Sequence, residues 1–140
     1  MAMLEDTLRA VLLRRPEVQE AYLFGSQARG DAAAHSDVDV AVYIAPAEVK
    51  AGPFGYDADL GAELMSALGR NDVDVVVLNE APPMLYHRVL RDGVRLFSRD
   101  ELATARREGY AVSRYCDWVP QQRKIDSAFV ARVKAGGVGT

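Results

Sequence analysis

The sequence predicts an α/β protein in which helices cover a sheet, and three observations lead to that prediction. The chain has 140 residues, which is the usual size of one compact domain. Hydrophobic residues make up 49% of it and charged residues 26%, as in a globular protein rather than a disordered or collagen-like one. Segments with helical periodicity alternate with short strand-like segments, and this order favours a sheet flanked by helices.

The first part of the chain shows signals for helix and strand in turn. Apolar residues at helical spacing predict a helix over 3–15, and an apolar segment predicts a strand over 18–24. A short helix is expected over 26–30 and a loop over 31–36. Valine alternates with aspartate and alanine over 38–44, which is the pattern of a strand whose two faces differ.

The middle of the chain repeats this alternation. Leucines at four-residue spacing predict a helix over 57–69. Residues 73–78 are β-branched and almost wholly apolar, so we expect a strand that is buried in the sheet. Two prolines open a short helix over 83–91, and a last short strand is predicted over 94–97.

The C-terminal part is predicted to be helical. A helix is expected from Arg99 to about Trp118, where Pro120 breaks it. A second amphipathic segment follows, and one stripe of it carries Ile125, Phe129 and Val133. This stripe packs either on the chain's own core or on a partner, and the sequence leaves both readings open.

Composition and charge exclude several classes of function. The chain carries 17 basic and 20 acidic side chains, so we expect no direct binding of nucleic acid, which normally needs a basic protein. No apolar run approaches the ~20 residues of a membrane span, and the N-terminus lacks the apolar core of a signal peptide. A cytoplasmic protein without membrane contact is therefore expected. A single cysteine excludes an internal disulfide framework.

A pair of aspartates is the first candidate functional feature. Strand alternation places Asp37 and Asp39 on one face of the strand, roughly 6–7 Å apart along it. Two ionised carboxylates this close repel each other, and no basic residue lies between them. A hard divalent cation removes the conflict, and oxygen ligands with open positions for phosphates are what Mg²⁺ prefers.

Asp74 is a second candidate, because it is the one charged residue inside an apolar strand segment. Burial of such a carboxylate is costly unless a partner neutralises it. If the strands over 38–44 and 73–78 are neighbours, Asp74 completes a triad with Asp37 and Asp39. Three carboxylates can hold two cations about 3.5–4 Å apart, the arrangement used in phosphoryl-type displacements.

A glycine–serine turn is the other half of the candidate site. A helix that begins at Ser26 points free backbone N–H groups and the positive end of its dipole toward an anion. Gly25 lets a phosphate approach the backbone, and Arg29 lies one turn further on. Taken alone, each pattern has an ordinary structural explanation as a turn, a solvated strand face or a cap. Their conjunction in this order is much less common by chance.

Together these residues resemble a known family. Gly25-Ser26, ten intervening residues and then Asp37-Val38-Asp39 are similar to the signature of the DNA polymerase β-like nucleotidyltransferase superfamily. The flanking residues 28–30 and Ser36 resemble those of its smallest members, the minimal nucleotidyltransferase (MNT) domains. The resemblance implies an α/β fold with a mixed, palm-like sheet flanked by helices.

The resemblance also implies a domain organisation and roles for residues. Residues 1–98 correspond to an MNT domain, and residues 99–140 form a C-terminal helical extension. The implied reaction is attack of an acceptor on the α-phosphate of ATP, the co-substrate, with loss of pyrophosphate. In it, Asp37 and Asp39 bind Mg²⁺, and Asp74 binds a second metal ion or acts as base toward the acceptor hydroxyl. The implied nucleotide-binding group is Gly25, Ser26, Arg29 and Ser36.

MNT domains of this size resemble the antitoxins of HEPN–MNT toxin–antitoxin pairs. The resemblance implies a protein adenylyltransferase that moves AMP from ATP to a tyrosine of a HEPN ribonuclease toxin and so neutralises it. Two alternatives stay open: an antitoxin that neutralises the toxin by binding alone, and a nucleotidyltransferase acting on a small molecule such as an aminoglycoside. The sequence also leaves open whether the chain forms a homo-oligomer or a hetero-oligomer.

Overall fold

Four strands form one mixed sheet in a computed structural model, which describes residues 2–25, 37–45 and 55–134. The strands are β1 (Val18–Phe24), β2 (Val38–Ile44), β3 (Val73–Val77) and β4 (Val94–Ser98). Their order across the sheet is β3-β2-β1-β4. β1 is antiparallel to β2 and β4, whereas β3 is parallel to β2. This mixed sheet confirms the predicted fold class.

Helices flank the sheet, as the sequence predicts. They are α1 (Ala2–Leu13), α2 (Tyr56–Leu68), α3 (Pro83–Asp92) and α4 (Glu101–Lys134), and a 3-10 turn, Leu78–Glu80, joins β3 to α3. The side chain of Asp100 caps α4 by accepting a hydrogen bond of 3.1 Å from the N–H of Ala103. The helix predicted over 26–30 and the loop predicted over 31–36 lie outside the described residues. In the part of the chain that the structure covers, no helix has the length and apolarity of a membrane span.

The two faces of the sheet carry different residues because side chains alternate along a strand. On one face, Val38, Val40 and Val42 of β2 pack with buried leucines of α1 and α2. On the other face, called the α3–α4 face below, Phe24 and Ala41 pack with buried residues of α3 and α4. Asp39 of β2 and Asp74 of β3 alternate along their strands with the valines that face α1 and α2. The two aspartates therefore lie on the α3–α4 face.

The expectation that the strand over 73–78 is buried is wrong. β3 lies at one end of the strand order, and of its five residues only Val73 is buried, while Asp74 is exposed. The strand also ends early, at Val77. Beyond the end of β3, the side-chain amide of Asn79 bonds to the backbone of Ile44 in β2. Its oxygen accepts a hydrogen bond of 3.0 Å from the Ile44 N–H, and its nitrogen donates one of 2.8 Å to the Ile44 carbonyl.

The predicted break at Pro120 is also wrong, because α4 is a single helix that contains this proline. An interior proline lacks the N–H that would bond to the carbonyl of Cys116, and it typically kinks a helix without always ending it. Both residues are exposed, so water can satisfy the free carbonyl. The side chains of the stripe Ile125, Phe129 and Val133 lie outside what the structure describes, and their packing stays a prediction.

A buried ion pair anchors α4 to the sheet. Glu20 of β1 is 0% exposed, and the Arg107 guanidinium donates to its two carboxylate oxygens at 2.8 and 2.5 Å. The Thr104 hydroxyl donates to the same carboxylate at 3.0 Å. The Arg107 guanidinium also lies over the Tyr43 ring of β2, 4.4 Å from its centroid. Through these contacts one side chain of α4 holds two strands of the sheet.

Candidate functional site

The end of β1 and the starts of β2 and β3 meet at one end of the sheet. In the strand register, Asp39 of β2 lies opposite Phe24 of β1 on one side and Asp74 of β3 on the other. Neighbouring strands are about 4.8 Å apart, so Asp39 and Asp74 lie side by side on the α3–α4 face. Asp37 is two residues before Asp39 and belongs to the same face.

The electrostatics show that these three carboxylates interact. The pKa of Asp39 is raised, first by partial burial, then by the negative charge of Asp74 and then by that of Asp37. Asp37 and Asp74 are exposed, whereas Asp39 is half-buried. The sequence predicts a cost of burial for the Asp74 carboxylate, but Asp39 is the more buried of the two. The reason is that β3 is an edge strand, whereas β2 lies inside the sheet.

The donor set suits a hard cation that is shared with a substrate. Among the described residues, no three acidic, histidine or cysteine side chains are drawn together closely enough to hold a metal ion by themselves. Mg²⁺, however, is usually bound through one or two carboxylates together with substrate phosphates, and not by an all-protein cage. The repulsion that raises the pKa of Asp39 is what a divalent cation relieves. We conclude that the residues fit Mg²⁺ in the presence of a phosphate ligand.

Gly25 forms one wall of this site. Its φ angle of 77° lies in the left-handed region, and a Cβ atom added to it would collide with the carboxylate oxygen Oδ2 of Asp39. Only glycine therefore lets the backbone lie directly against the Asp39 carboxylate. The other predicted nucleotide-binding residues, Ser26, Arg29 and Ser36, lie outside the described residues, and their roles stay predictions.

Replacement of Gly25 by alanine is expected to cost about 1–2 kcal/mol for the positive φ angle and a further ~1–3 kcal/mol for the collision with Asp39. Gly69 is a matched control, because its φ angle is 68° but nothing lies within 4 Å of the added Cβ atom. We expect Gly69→Ala to show only the first cost in urea unfolding. The excess cost of Gly25→Ala should vanish in an Asp39→Ala background, and equal costs for the two glycine variants would contradict this contact.

Arg70 is a residue of the site region that sequence analysis misses. It lies just after α2 and donates two hydrogen bonds to Asp72. Its pKa is raised chiefly by the hydrogen bond to Asp72 and also by the negative charge of Asp37. The pairing of β3 with β2 brings the backbone segment that follows Arg70 beside Asp37, and no local pattern in the sequence shows that pairing.

Comparison with known proteins gives one family and several similar structures. The family model described as polymerase beta, nucleotidyltransferase, matches residues 6–102. No curated protein matches the chain significantly. A chain from a complex of a tri-AMPylated Shewanella oneidensis HEPN toxin with an MNT antitoxin is 26% identical, with a TM-score of 0.69. That match covers 91% of this chain and 98% of the other.

Two further structures are similar over nearly their whole length. A chain of a toxin–antitoxin complex with AMP-PNP is 25% identical with a TM-score of 0.68, covering 93% of this chain and 98% of that one. A chain of a mutant MntA–HpeT toxin–antitoxin complex is 26% identical with a TM-score of 0.66, covering 93% and 97%. The similarity therefore extends beyond the sheet into α4.

Proposed function

The chain belongs to the polymerase beta nucleotidyltransferase family, and on that premise we propose that it is an antitoxin that modifies its toxin. The proposed reaction is Mg²⁺-dependent transfer of AMP from ATP to a tyrosine of a HEPN-type toxin, which is thereby neutralised. The observation that carries the proposal is the register that sets Asp39 beside Asp74, with Asp37 on the same face and Gly25 against the Asp39 carboxylate.

The similar structures support the choice of acceptor and donor. One contains an AMPylated HEPN toxin together with its MNT antitoxin, and another contains a toxin–antitoxin pair with AMP-PNP, an analogue of ATP. The matches cover almost all of this chain and of those chains. They therefore support the proposal that this chain has a similar partner as well as a similar fold. A cytoplasmic location, where ATP and Mg²⁺ are available, is part of the same proposal.

The proposed step is a substitution at the α-phosphorus of ATP. The tyrosine oxygen forms a bond to this phosphorus, the bond to the bridging oxygen of the β-phosphate breaks, and pyrophosphate leaves with that electron pair. Bound Mg²⁺ neutralises charge on the phosphates and favours ionisation of the acceptor hydroxyl. Asp37 and Asp39 are the proposed ligands for it.

Asp74 has the position that an acceptor from another chain requires. It is exposed on an edge strand, so a tyrosine of a partner can approach it without displacing any strand. We propose that Asp74 either accepts the proton of the tyrosine hydroxyl or binds a second metal ion. Gly25 and Ser26, with Arg29 and Ser36, are the proposed binding group for the triphosphate. In this proposal residues 1–98 carry the chemistry and residues 99–140 form the helical extension.

Transfer from ATP labelled at the α-phosphate tests the proposal. The protein is incubated with Mg²⁺, a HEPN-type toxin and ATP labelled with ³²P at either the α- or the γ-phosphate. We expect label on the toxin only from α-labelled ATP, because the γ-phosphate leaves in pyrophosphate. Digestion and mass spectrometry should place one or more AMP groups on tyrosine.

Other outcomes separate the alternatives. Tight binding of the toxin with no label, unaffected by Asp39→Ala, would show an antitoxin that acts by masking alone. Label on an added aminoglycoside, and none on the toxin, would show a small-molecule nucleotidyltransferase. Label from γ-labelled ATP would show a kinase, and that result would contradict the assignment of the site.

A further inference from the structure

The tyrosines of the chain differ in how far they reach into solvent. The chain has six of them, and all six belong to the described residues. Five are buried or half-buried: Tyr22, Tyr43, Tyr56, Tyr86 and Tyr115. The Tyr22 hydroxyl, for example, donates to the Glu108 carboxylate at 2.6 Å. The sixth, Tyr110, is 69% exposed on α4, so it is the tyrosine that another molecule can reach.

The backbone of Tyr110 is held on the sheet by its neighbours. Arg107, three residues earlier, forms the two-pronged pair with the buried Glu20. Ala111, the next residue, is 1% exposed and packs on the α3–α4 face. Because α4 cannot leave the sheet without breaking these contacts, the Tyr110 ring is presented to solvent at a fixed place.

The surroundings of Tyr110 on the helix are positively charged. Of the four positions that are three or four residues away, three carry arginine and one carries serine, and such positions are neighbours on a helix surface. The Arg114 guanidinium lies 5.9 Å from the centroid of the Tyr110 ring. Arg107 is occupied by Glu20, which leaves Arg106 and Arg114 to face an anion. Arginine binds phosphate oxygens through paired hydrogen bonds, so these surroundings suit the approach of a nucleotide phosphate.

We propose that Tyr110 is an acceptor of AMP, which the carboxylate site of a second copy of this chain transfers to it. The inference rests on the proposed function, because it uses the same site, ATP and Mg²⁺. Asp74 is exposed on an edge strand, so the site is open to a tyrosine that projects from a helix of another copy.

The proposed step is a substitution at phosphorus. The Tyr110 oxygen forms a bond to the α-phosphorus of ATP, and the bond from this phosphorus to the bridging oxygen of the β-phosphate breaks. Pyrophosphate leaves with that electron pair, and the phenolic proton passes to Asp74 or to water. The product is a phosphodiester with one negative charge, which Arg106 and Arg114 are placed to neutralise.

Incubation of the full chain with Mg²⁺ and α-labelled ATP, in the absence of toxin, tests the inference. We expect label on the chain itself, and digestion with mass spectrometry should place one AMP group on Tyr110. Tyr110→Phe is expected to carry at least about tenfold less label, because phenylalanine has no oxygen to attack phosphorus. Tyr115→Phe is the matched control on the same helix. The Tyr115 ring is stacked on His87 with 3.7 Å between the centroids, and its loss of the hydroxyl should leave the label unchanged.

A mixture of two variants shows whether AMP moves between copies. Asp39→Asn lacks a metal ligand of the site but keeps Tyr110, whereas Tyr110→Phe keeps the site but lacks the acceptor. Neither variant alone should become labelled at position 110. When the two are mixed, label is expected on the Asp39→Asn chain, which a longer affinity tag distinguishes on a gel.

Removal of the neighbouring charge gives a second readout. Arg114→Gln is expected to slow the labelling of Tyr110 about three- to tenfold, because one positive charge near the incoming phosphates is lost. Arg14→Gln is the control, since Arg14 is exposed just after α1, which covers the opposite face of the sheet, and it should label at the rate of the wild type.

Equal labelling of the wild type and Tyr110→Phe would overturn the inference, as would a mixture of the two variants that stays unlabelled. A chain that transfers AMP to the toxin but never to itself would also overturn it, and would leave the proposed function intact. If neither the toxin nor the chain becomes labelled, the proposed function fails and this inference fails with it.

Discussion

In an Asp39→Asn variant, transfer of AMP to the toxin is expected to fall at least about a thousandfold, or ~4 kcal/mol in activation free energy. An asparagine of the same shape keeps the half-buried position but lacks the negative charge that holds a divalent cation. The measurement is the initial rate of label transfer from α-labelled ATP at saturating Mg²⁺. Asp57→Asn is the control, because Asp57 is exposed on α2, which covers the opposite face of the sheet.

The same substitution is expected not to reduce the stability of the metal-free protein. Since the folded protein raises the pKa of Asp39, its ionised form destabilises the fold at neutral pH, and this penalty disappears as the pH falls through the raised pKa. Asparagine removes the penalty at every pH. An inactive variant that unfolds at the same or higher urea concentration would separate catalysis from folding. Activity near that of the wild type would contradict the role of Asp39.

Removal of the Arg107 side chain is expected to cost about 3–5 kcal/mol of the free energy of unfolding. Arg107→Ala leaves the Glu20 carboxylate buried without its counter-charge, which is the costly way to break a buried ion pair. Urea unfolding followed by circular dichroism measures the cost by linear extrapolation. Arg106→Ala is the control on the same helix, since Arg106 is exposed, and it should change stability by no more than about 0.5 kcal/mol.

A second variant shows whether the loss comes from the unpaired charge. Replacement of both Glu20 and Arg107 by methionine is expected to recover most of the stability, because an apolar pair of similar volume has no desolvation penalty. A double variant that is as unstable as Arg107→Ala would mean that packing of α4, and not the buried charge, is what the single change disrupts. An Arg107→Ala variant within about 1 kcal/mol of the wild type would contradict the anchoring role altogether.

The features that sequence patterns predict here are the ones that depend on neighbours along the chain. β1 and β2 begin and end as predicted, because apolar runs and period-two alternation are local signals. The α-helices likewise begin where expected to within two residues. Strand alternation also predicts that Asp39 lies on the face opposite to the valines of β2, as it does in the structure, whereas the bound cation stays a prediction.

The features that sequence analysis missed depend on distant pairings. A valine-rich segment occurs both in central strands and in edge strands of a sheet. The exposure of Asp74 therefore cannot be predicted from the sequence of its strand. The sequence around Glu20 does not indicate a partner 87 residues away, and Asp37 influences the pKa of Arg70 only because β3 lies beside β2. In each case the order of strands decides the environment, and that order is set by packing of the whole chain.

The most direct test of the three-carboxylate site is the anomalous scattering of Mn²⁺ in crystals grown with Mn²⁺ and AMP-PNP. We expect a peak in contact with the carboxylates of Asp37 and Asp39, between them and the nucleotide phosphates, and within reach of Asp74. A peak at other residues, or a bound nucleotide with no metal at these aspartates, would contradict the site.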